Sequence, residues 1–287
     1  MKTVFYLIVA VIAFTTFEPV SKLITDTVSP VAITGIRFLL GGLMLYPLAF
    51  GFLKKQNLKI QAKDYFIMGG LGILCICISM LSLQQAVKLA PSPAVIAIVF
   101  SVNSVITITL GSLVLKEKLT LYKILAIILC IIGICFMFDP QGGANVMSIA
   151  YALIAAVSFS LYTVFSKKMN EKYSASINSA VGFTIGGLIL FVYSYIGGCG
   201  LTDLSLIDTK VIFVLLYLII VVTGIGYIAY FKAFEEGGAV AAGLVFFIKP
   251  ILTPFVTWIV NGIVPDYKVF IALALIIIGS YLGLKKQ

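Results

Sequence analysis

The chain contains no histidine and few charged residues. Aspartate, glutamate, lysine and arginine together make up 11% of its 287 residues. With no histidine, and with five cysteines that lack a Cys-x-x-Cys spacing, the sequence has no pattern typical of a metal site. Asp203 and Asp208 lie outside the apolar stretches, without the acidic cluster that would hold Mg²⁺. These absences argue against an enzyme, and we predict no catalytic residue, metal or cofactor.

The low charge content accompanies a very apolar composition. Hydrophobic residues make up 61% of the chain and its mean hydropathy is +1.16, so a folded form in water would expose too much apolar surface. The charges cluster in short runs between apolar stretches of roughly 20 residues, the length of a helix that crosses a bilayer. Strands of a membrane β-barrel would be about half as long and polar at every second residue. The sequence therefore predicts an all-α integral membrane protein.

Ten apolar stretches are long enough to be transmembrane helices. They cover approximately residues 4–24, 30–52, 65–87, 93–115, 120–138, 147–166, 175–197, 210–232, 239–262 and 269–285.

Two halves of the chain resemble each other. AFTTFEPVSK at 13–22 is echoed 145 residues later by SFSLYTVFSK at 158–167. With an offset of 147 residues, FSVN at 100–103 aligns with FIKP at 247–250. The ten predicted helices therefore divide into two repeats of five.

An odd number of helices in each repeat requires the second repeat to enter the membrane from the opposite side. Inverted repeats are typical of secondary transporters, in which the two copies move about a central site. We predict two inverted five-helix repeats, residues 1–140 and residues 146–287, joined near 139–145. A duplication that serves packing alone is the alternative.

Lysine residues are distributed unequally between the two sets of loops. If the N-terminus is cytoplasmic, fourteen lie on the inner side, namely Lys2, Lys54, Lys55, Lys59, Lys63, Lys116, Lys118, Lys123, Lys167, Lys168, Lys172, Lys232, Lys285 and Lys286. Four lie on the outer side, namely Lys22, Lys88, Lys210 and Lys268. This bias predicts a multi-pass protein of the plasma membrane with both termini in the cytoplasm. It also accounts for the net charge of +9 without a nucleic-acid partner.

Three motifs are similar to those of the drug/metabolite transporter superfamily, specifically its EamA-type members. They are RFLL at 37–40, AVKLAPSPA at 86–94 and LKEKLT at 115–120. The resemblance covers essentially the whole chain. It implies a ten-helix transporter that exports or exchanges small metabolites, often amino acids. Two positions depart from the family pattern, since Asn103 replaces a proline in the fourth helix and VPD at 264–266 replaces an acidic residue after the ninth.

Two charged residues lie at matching depths in the first two predicted helices. Glu18 and Arg37 are nine and ten residues from the turn near Thr27, so the helical rise places them level with each other. Charge inside a membrane is costly and marks either a pathway or a pair. Two alternatives follow. Either the two residues form a permanent ion pair, or Glu18 faces a cavity where it binds an amine or a proton. Pro19 favours the second alternative because it removes the hydrogen bond to the Thr15 carbonyl.

A third charge, Lys249, lies near the middle of the ninth helix. It precedes Pro250, and Pro254 follows one turn later. A bent helix near the membrane midplane is where transporters with inverted repeats bind substrate. Lys249 is therefore a candidate ligand for a carboxylate, or it is neutralised by Glu18. A resting Glu18–Lys249 pair that opens to admit a zwitterion combines the two alternatives.

Uncharged residues at a similar depth complete the predicted site. Asn103 is the repeat partner of Pro250, which places both near the pseudo-twofold axis. The aromatic candidates are Tyr162, the repeat partner of Phe17, and Tyr230 on the eighth helix. The predicted substrate-binding residues are Glu18, Lys249, Arg37, Asn103, Tyr162 and Tyr230.

These observations predict a secondary active or facilitative transporter that works by alternating access. Its expected substrates are small polar metabolites for export, amino acids or related carboxylates in particular. Proton-coupled efflux of organic cations through Glu18, as in small multidrug-resistance proteins, is the alternative, although Lys249 would repel a cation. A membrane-embedded lipid or prenyl transferase is a remote one. The expected partners are the substrate, the lipid bilayer and protons as a coupling ion, with the chain as a monomer or homodimer.

Overall fold

The described part of the chain is helical almost throughout. A computed structural model describes residues 2–114, 121–137, 145–197 and 208–284. No β-strand occurs among these residues. Several features singled out in the sequence lie outside them, namely the LKEKLT motif, most of the expected connection at 139–145, Cys199 and Asp203.

The helices group into apolar segments. In chain order these are α1 (Lys2–Lys22), α2 (Pro30–Gln56), α3 (Ala62–Leu89), α4 (Pro93–Gly111), α5 (Leu121–Met137), α6 (Val146–Lys172), α7 (Ala175–Ile196), α8 (Thr209–Gly237), α9 (Leu244–Asn261) and α10 (Tyr267–Leu284). Eight of them are long and apolar enough to cross a membrane, whereas α5 and α10 contain shorter apolar stretches. The chain is an all-helical membrane protein, and the crossing of the membrane by α5 and α10 stays a prediction.

Large apolar side chains cover much of the outer surface of these helices. Phe66 is 82% exposed, and Ile196 and Ile259 are each 79% exposed. Such a surface would be unstable in water, but lipid tails solvate it without cost. This pattern agrees with the composition.

The chain reverses direction between α8, which ends at Gly237, and α9, which begins at Leu244. One continuous straight helix would separate Tyr230 from Phe246 by about 24 Å, yet their ring centroids are 5.6 Å apart. α8 and α9 therefore lie side by side.

Two segments are interrupted near the depth of the predicted site. α1 breaks at Thr16, next to the Thr15 carbonyl that loses its helical partner because Pro19 has no N–H. α4 breaks at Ser101 and Val102, so that Asn103 begins a new helix. In contrast, the helix that contains Pro250 is continuous around it.

Stretches of π-helix occur at equivalent places in α3 and α8. They cover Ile73–Met80 and Leu218–Ile225, each eight residues long and 145 residues apart. π-helices are rare and often lie at functional sites. The offset is the same as in the sequence similarity, so the two halves share a local backbone irregularity.

The two halves of the chain interleave. α1 packs on α8 and α9, and α6 packs on α3 and α4, while α2 contacts α7 and α5 contacts α10. α2 also packs on α8, and α7 packs on α3. We call α3, α4, α6 and α7 the first bundle and α1, α2, α8 and α9 the second bundle. Each bundle therefore contains helices from both halves.

Glycines permit the closest of these helix contacts. A Cβ atom at Gly72 of α3 would collide with the backbone of Gly182 on α7, and one at Gly187 would collide with the backbone of Leu39 on α2. Membrane helices commonly pack through small residues in this way, because backbone contact replaces the absent hydrophobic driving force.

Candidate functional site

A buried ion pair joins α1 to α9. Lys249 Nζ donates to Glu18 Oε1 at 2.6 Å, and the two side chains are 9% and 0% exposed. Glu18 Oε2 is buried and has no hydrogen-bond partner among the described residues. Each charge offsets the cost of burying the other, so removal of one partner would leave an uncompensated charge. Of the two partners considered for Glu18, Arg37 and Lys249, it is Lys249 that forms the ion pair in the structure.

Arg37 lies beside this pair but contacts other groups. Its Nε donates to Thr223 Oγ1 at 2.8 Å, which joins α2 to the π-helix of α8. The guanidinium carbon is 4.0 Å from the ring centroid of Phe17 and 4.4 Å from that of Phe38. Cation–π contacts of this kind stabilise a desolvated guanidinium. Among the described residues, Arg37 forms no ion pair with Glu18.

Three aromatic rings separate these charges from a larger space. Lys249 and Arg37 line a chamber of about 30 Å³, large enough for one water molecule. Phe159, Tyr227 and Phe246 line both this chamber and the larger cavity beyond it. The ring centroids of Phe159 and Phe246 are 6.3 Å apart. We call these three residues the aromatic partition.

The cavity beyond the aromatic partition has a volume of about 330 Å³, and Asn103, Tyr162 and Tyr230 line it. The Tyr162 hydroxyl lies 3.3 Å from Ser179 Oγ. Asn103 is 5% exposed, and its backbone carbonyl accepts a hydrogen bond from Ser160 Oγ at 2.9 Å. Its side-chain amide has no hydrogen-bond partner in the described part of the chain. The amide is therefore available to a molecule in the cavity.

The cavity adjoins a vestibule of about 740 Å³ at one end of the molecule. Thr107, Thr163 and Asn170 line both spaces. Lys167 of α6 and Glu235 of α8 lie on the vestibule wall. We call this end the vestibule end, and it is the end that the lysine distribution predicts to be cytoplasmic.

The opposite end is closed by polar contacts between the bundles. Lys22 Nζ, at the end of α1, donates to the carbonyls of Lys88 and Ala90, both at 2.8 Å. Gln84 Nε2 of α3 donates to Ser21 Oγ of α1 at 3.3 Å. We call this the closed end. In the described part of the chain, the cavity adjoins a wide vestibule at one end, and hydrogen bonds join the bundles at the other.

The six residues proposed from the sequence fall into two groups. The structure brings Glu18, Lys249 and Arg37 together behind the aromatic partition. Asn103, Tyr162 and Tyr230 lie in the cavity on its other side. The sequence placed all six at similar depth, and the structure distributes them between the chamber and the cavity on the two sides of the aromatic partition.

Sequence reasoning missed Phe159 and Phe246 of the aromatic partition, Phe231 and Phe234 of the cavity wall, and the contacts of Lys22. Tyr227, Tyr230, Phe231 and Phe234 follow one face of α8 at helical spacing, and all four line the cavity. The same spacing is ordinary for a face that contacts lipid or another helix, so it does not single out a cavity. The partners of Lys22 are backbone carbonyls, which any residue would supply.

The fold and the cavity are those of a multi-pass membrane protein of the transporter class. An uncharacterized transporter of Clostridium kluyveri is 33% identical to this chain, with 98% of this chain and 93% of the relative covered. One from Archaeoglobus fulgidus is 23% identical, with 90% of each covered. A crystal structure with 18% identity matches 98% of this chain and 96% of its own with a TM-score of 0.66, a likeness of fold alone.

The EamA-like transporter family model matches residues 1–139 and 146–284. The chain belongs to the EamA-like transporter family, as the three sequence motifs predicted. The family and its relatives indicate a membrane transporter and not an enzyme.

Proposed function

We propose that the protein is a secondary active or facilitative transporter that exports small polar metabolites across the plasma membrane by alternating access. The observation that carries this proposal is the cavity of about 330 Å³, reached from the vestibule end and closed at the other. A transporter needs a binding site open to one side of the membrane at a time, whereas a channel needs both ends open together. With the orientation predicted from the lysines, the vestibule faces the cytoplasm.

Several observations support an inverted repeat as the basis of this movement. The family model matches two successive ranges, 1–139 and 146–284. The π-helices at Ile73–Met80 and Leu218–Ile225 recur at the offset of the sequence similarity. Exchange of the two halves also converts the contact of α1 with α8 into that of α6 with α3. A pseudo-twofold axis in the membrane plane would produce these equivalences.

The moving units in this proposal are the two interleaved bundles. The two ion pairs of the described residues each lie within one bundle, Glu18–Lys249 in the second and Asp64–Lys172, whose atoms are 2.7 Å apart, in the first. Contacts between the bundles at the closed end are hydrogen bonds, which can break and re-form. The glycine-mediated contact of α2 with α7 offers a smooth surface on which the bundles would turn.

Export of amino acids or related carboxylates would use the buried charges. A substrate carboxylate would replace Glu18 as the partner of Lys249, and Glu18 would then accept the amino group. This exchange requires the aromatic partition to open, because Phe159 and Phe246 stand between the cavity and Lys249.

Efflux of organic cations is a second candidate, because aromatic rings of the cavity attract cations. Lys249 opposes it, since its charge would repel the cargo once the partition opened. Growth protection against quaternary ammonium compounds that depends on Glu18 would favour this alternative.

The test of the proposal is transport by the purified protein in proteoliposomes, with a panel of labelled metabolites. We expect at least one small polar solute to move down or against its gradient without covalent change. A covalently altered product would instead indicate a membrane enzyme. If Lys249→Ala and Glu18→Gln both transport the identified solute at the wild-type rate, these two residues are not part of the substrate site.

A further inference from the structure

The cavity beyond the aromatic partition has strongly aromatic walls. Half of its lining residues are aromatic, among them Phe159, Phe183, Tyr227, Tyr230 and Phe246. Several of these rings contact one another, as do Phe183 and Tyr227 with centroids 4.8 Å apart. Such walls favour a flat ring system, because stacked and edge-to-face ring contacts add stabilisation beyond area burial.

The cavity itself offers no partner for an ionised group. None of the described residues that line it is a lysine, arginine, aspartate or glutamate. Lys249 is engaged by Glu18 behind the partition, and Lys167 and Glu235 belong to the vestibule. A zwitterion would lose hydration here without gaining a counter-charge, which is costly. As it stands, the cavity suits an uncharged solute.

Asn103 supplies the polar recognition. Asn103 is buried and lines the cavity, and its side-chain amide, a donor beside an acceptor, has no hydrogen-bond partner in the described part of the chain. An amide of this kind forms paired hydrogen bonds with a planar edge that carries an acceptor next to a donor, as nucleobases do. The backbone that carries this amide is held in place, because Asn103 begins the second helix of α4 and its carbonyl accepts a hydrogen bond from Ser160 Oγ.

We propose that this cavity binds planar, uncharged heterocycles of the nucleobase class, stacked on the aromatic walls and paired with Asn103. The inference rests on the proposed transport function and names its substrate class. The volume of about 330 Å³ lies at the lower end of the range for small-molecule sites, which begins at about 300 Å³. It accommodates a base with some water.

The proposal is tested by equilibrium binding to the full chain in lipid nanodiscs. The probes are adenine, cytosine and uracil, with tryptophan as a zwitterion of similar ring size, glutamate as a carboxylate and tetraphenylphosphonium as a cation. We expect at least one nucleobase to bind at least tenfold more tightly than tryptophan, glutamate and the cation. Asn103→Ala should weaken that binding at least tenfold, and Gln56→Ala, at the exposed end of α2, should leave it unchanged.

A second measurement does not depend on the stability of the Asn103 variant. In a background without the native cysteines, Ser104→Cys places a thiol in the cavity wall, and the nucleobase should slow its alkylation. Tighter binding of tryptophan or glutamate that is lost in Lys249→Met would overturn the proposal. So would nucleobase binding that neither requires Asn103 nor protects the thiol of Ser104→Cys.

Failure of this inference is distinguishable from failure of the transport function. If another solute is transported and no nucleobase binds, the substrate class is wrong but the transporter stands. If a nucleobase binds at Asn103 and no solute crosses the membrane, the ligand class stands and the transport proposal fails.

Discussion

The closed end and the vestibule end carry the same sequence pattern in two different states. Lys22 and Lys167 are repeat partners at an offset of 145 residues, and each follows a serine. Lys22 donates to two carbonyls at the end of α3, whereas Lys167 lines an open space together with Glu235. At the same offset, Ala90 corresponds to Glu235. On the proposed mechanism each lysine fastens its own end, and only one is engaged at a time.

The centre of the molecule lacks this equivalence. Glu18, Arg37 and Lys249 correspond to Thr163, Gly182 and Val102, so each buried charge occurs in one repeat alone. The ends can therefore exchange roles while the centre keeps a single chemical character. Movement would depend on the residues that are alike, and selection of the solute on those that differ.

The largest effect is expected at the buried ion pair, whose charges occur in one repeat alone. Lys249→Met leaves the Glu18 carboxylate without its counter-charge, and such a loss costs about 3–5 kcal/mol of folding free energy. The double variant Glu18→Leu with Lys249→Met removes both charges and should recover most of that loss. Thermal unfolding of the purified variants in nanodiscs measures both effects.

The control for the ion pair is Lys210→Met, at the exposed start of α8, which should unfold like the wild type. A double variant as unstable as Lys249→Met would show that the lysine acts by packing and not by charge. Transport by the double variant then decides between structure and function. Normal transport would assign the pair to stability alone.

Membrane helices and candidate charged residues can be predicted from the sequence, but the way in which those residues pair cannot. The length of the apolar stretches was sufficient to predict membrane helices. The similarity of AFTTFEPVSK to SFSLYTVFSK was sufficient to predict two similar halves, because both features belong to consecutive residues. Glu18 pairs with Lys249 and not with Arg37 because α9 packs against α1. Lys249 is 231 residues from Glu18 in the sequence, so this contact cannot be read from neighbouring residues. Helical rise gave the level of each residue and left its direction around the helix open. The division into chamber and cavity depends on those directions.

The closed end should open when Lys22 is removed. Lys22→Met loses two charge-assisted hydrogen bonds, and a loss of about 1–2 kcal/mol would change the ratio of the two states by about five- to thirtyfold. The readout is alkylation of the cavity thiol in Ser104→Cys by a membrane-impermeant maleimide added to one side at a time. Labelling from the vestibule side should fall, and labelling from the other side should rise.

Lys88→Met is the matched control for the closed end. It removes a neighbouring charge but keeps the backbone carbonyl that accepts from Lys22. Its labelling pattern should equal that of the parent. Equal change in both variants would mean that surface charge, and not the hydrogen bonds of Lys22, holds the end closed.

The smallest effect is expected at the vestibule end, and in the opposite direction. Lys167 and Glu235 lie near solvent, so a pair formed between them on closure would contribute about 0–1 kcal/mol, up to about fivefold in the ratio of states. Lys167→Glu or Glu235→Lys should therefore increase labelling of the cavity thiol from the vestibule side, because like charges would oppose closure. The double reversal restores attraction and should return labelling to the parental value.

Lys168→Glu places the same charge one residue away on an exposed position, and it should have less effect than Lys167→Glu. If the single reversals act but the double does not restore the pattern, Lys167 does not meet Glu235. The two lysines would then occupy equivalent positions in the two repeats, but only Lys22 would hold its end closed.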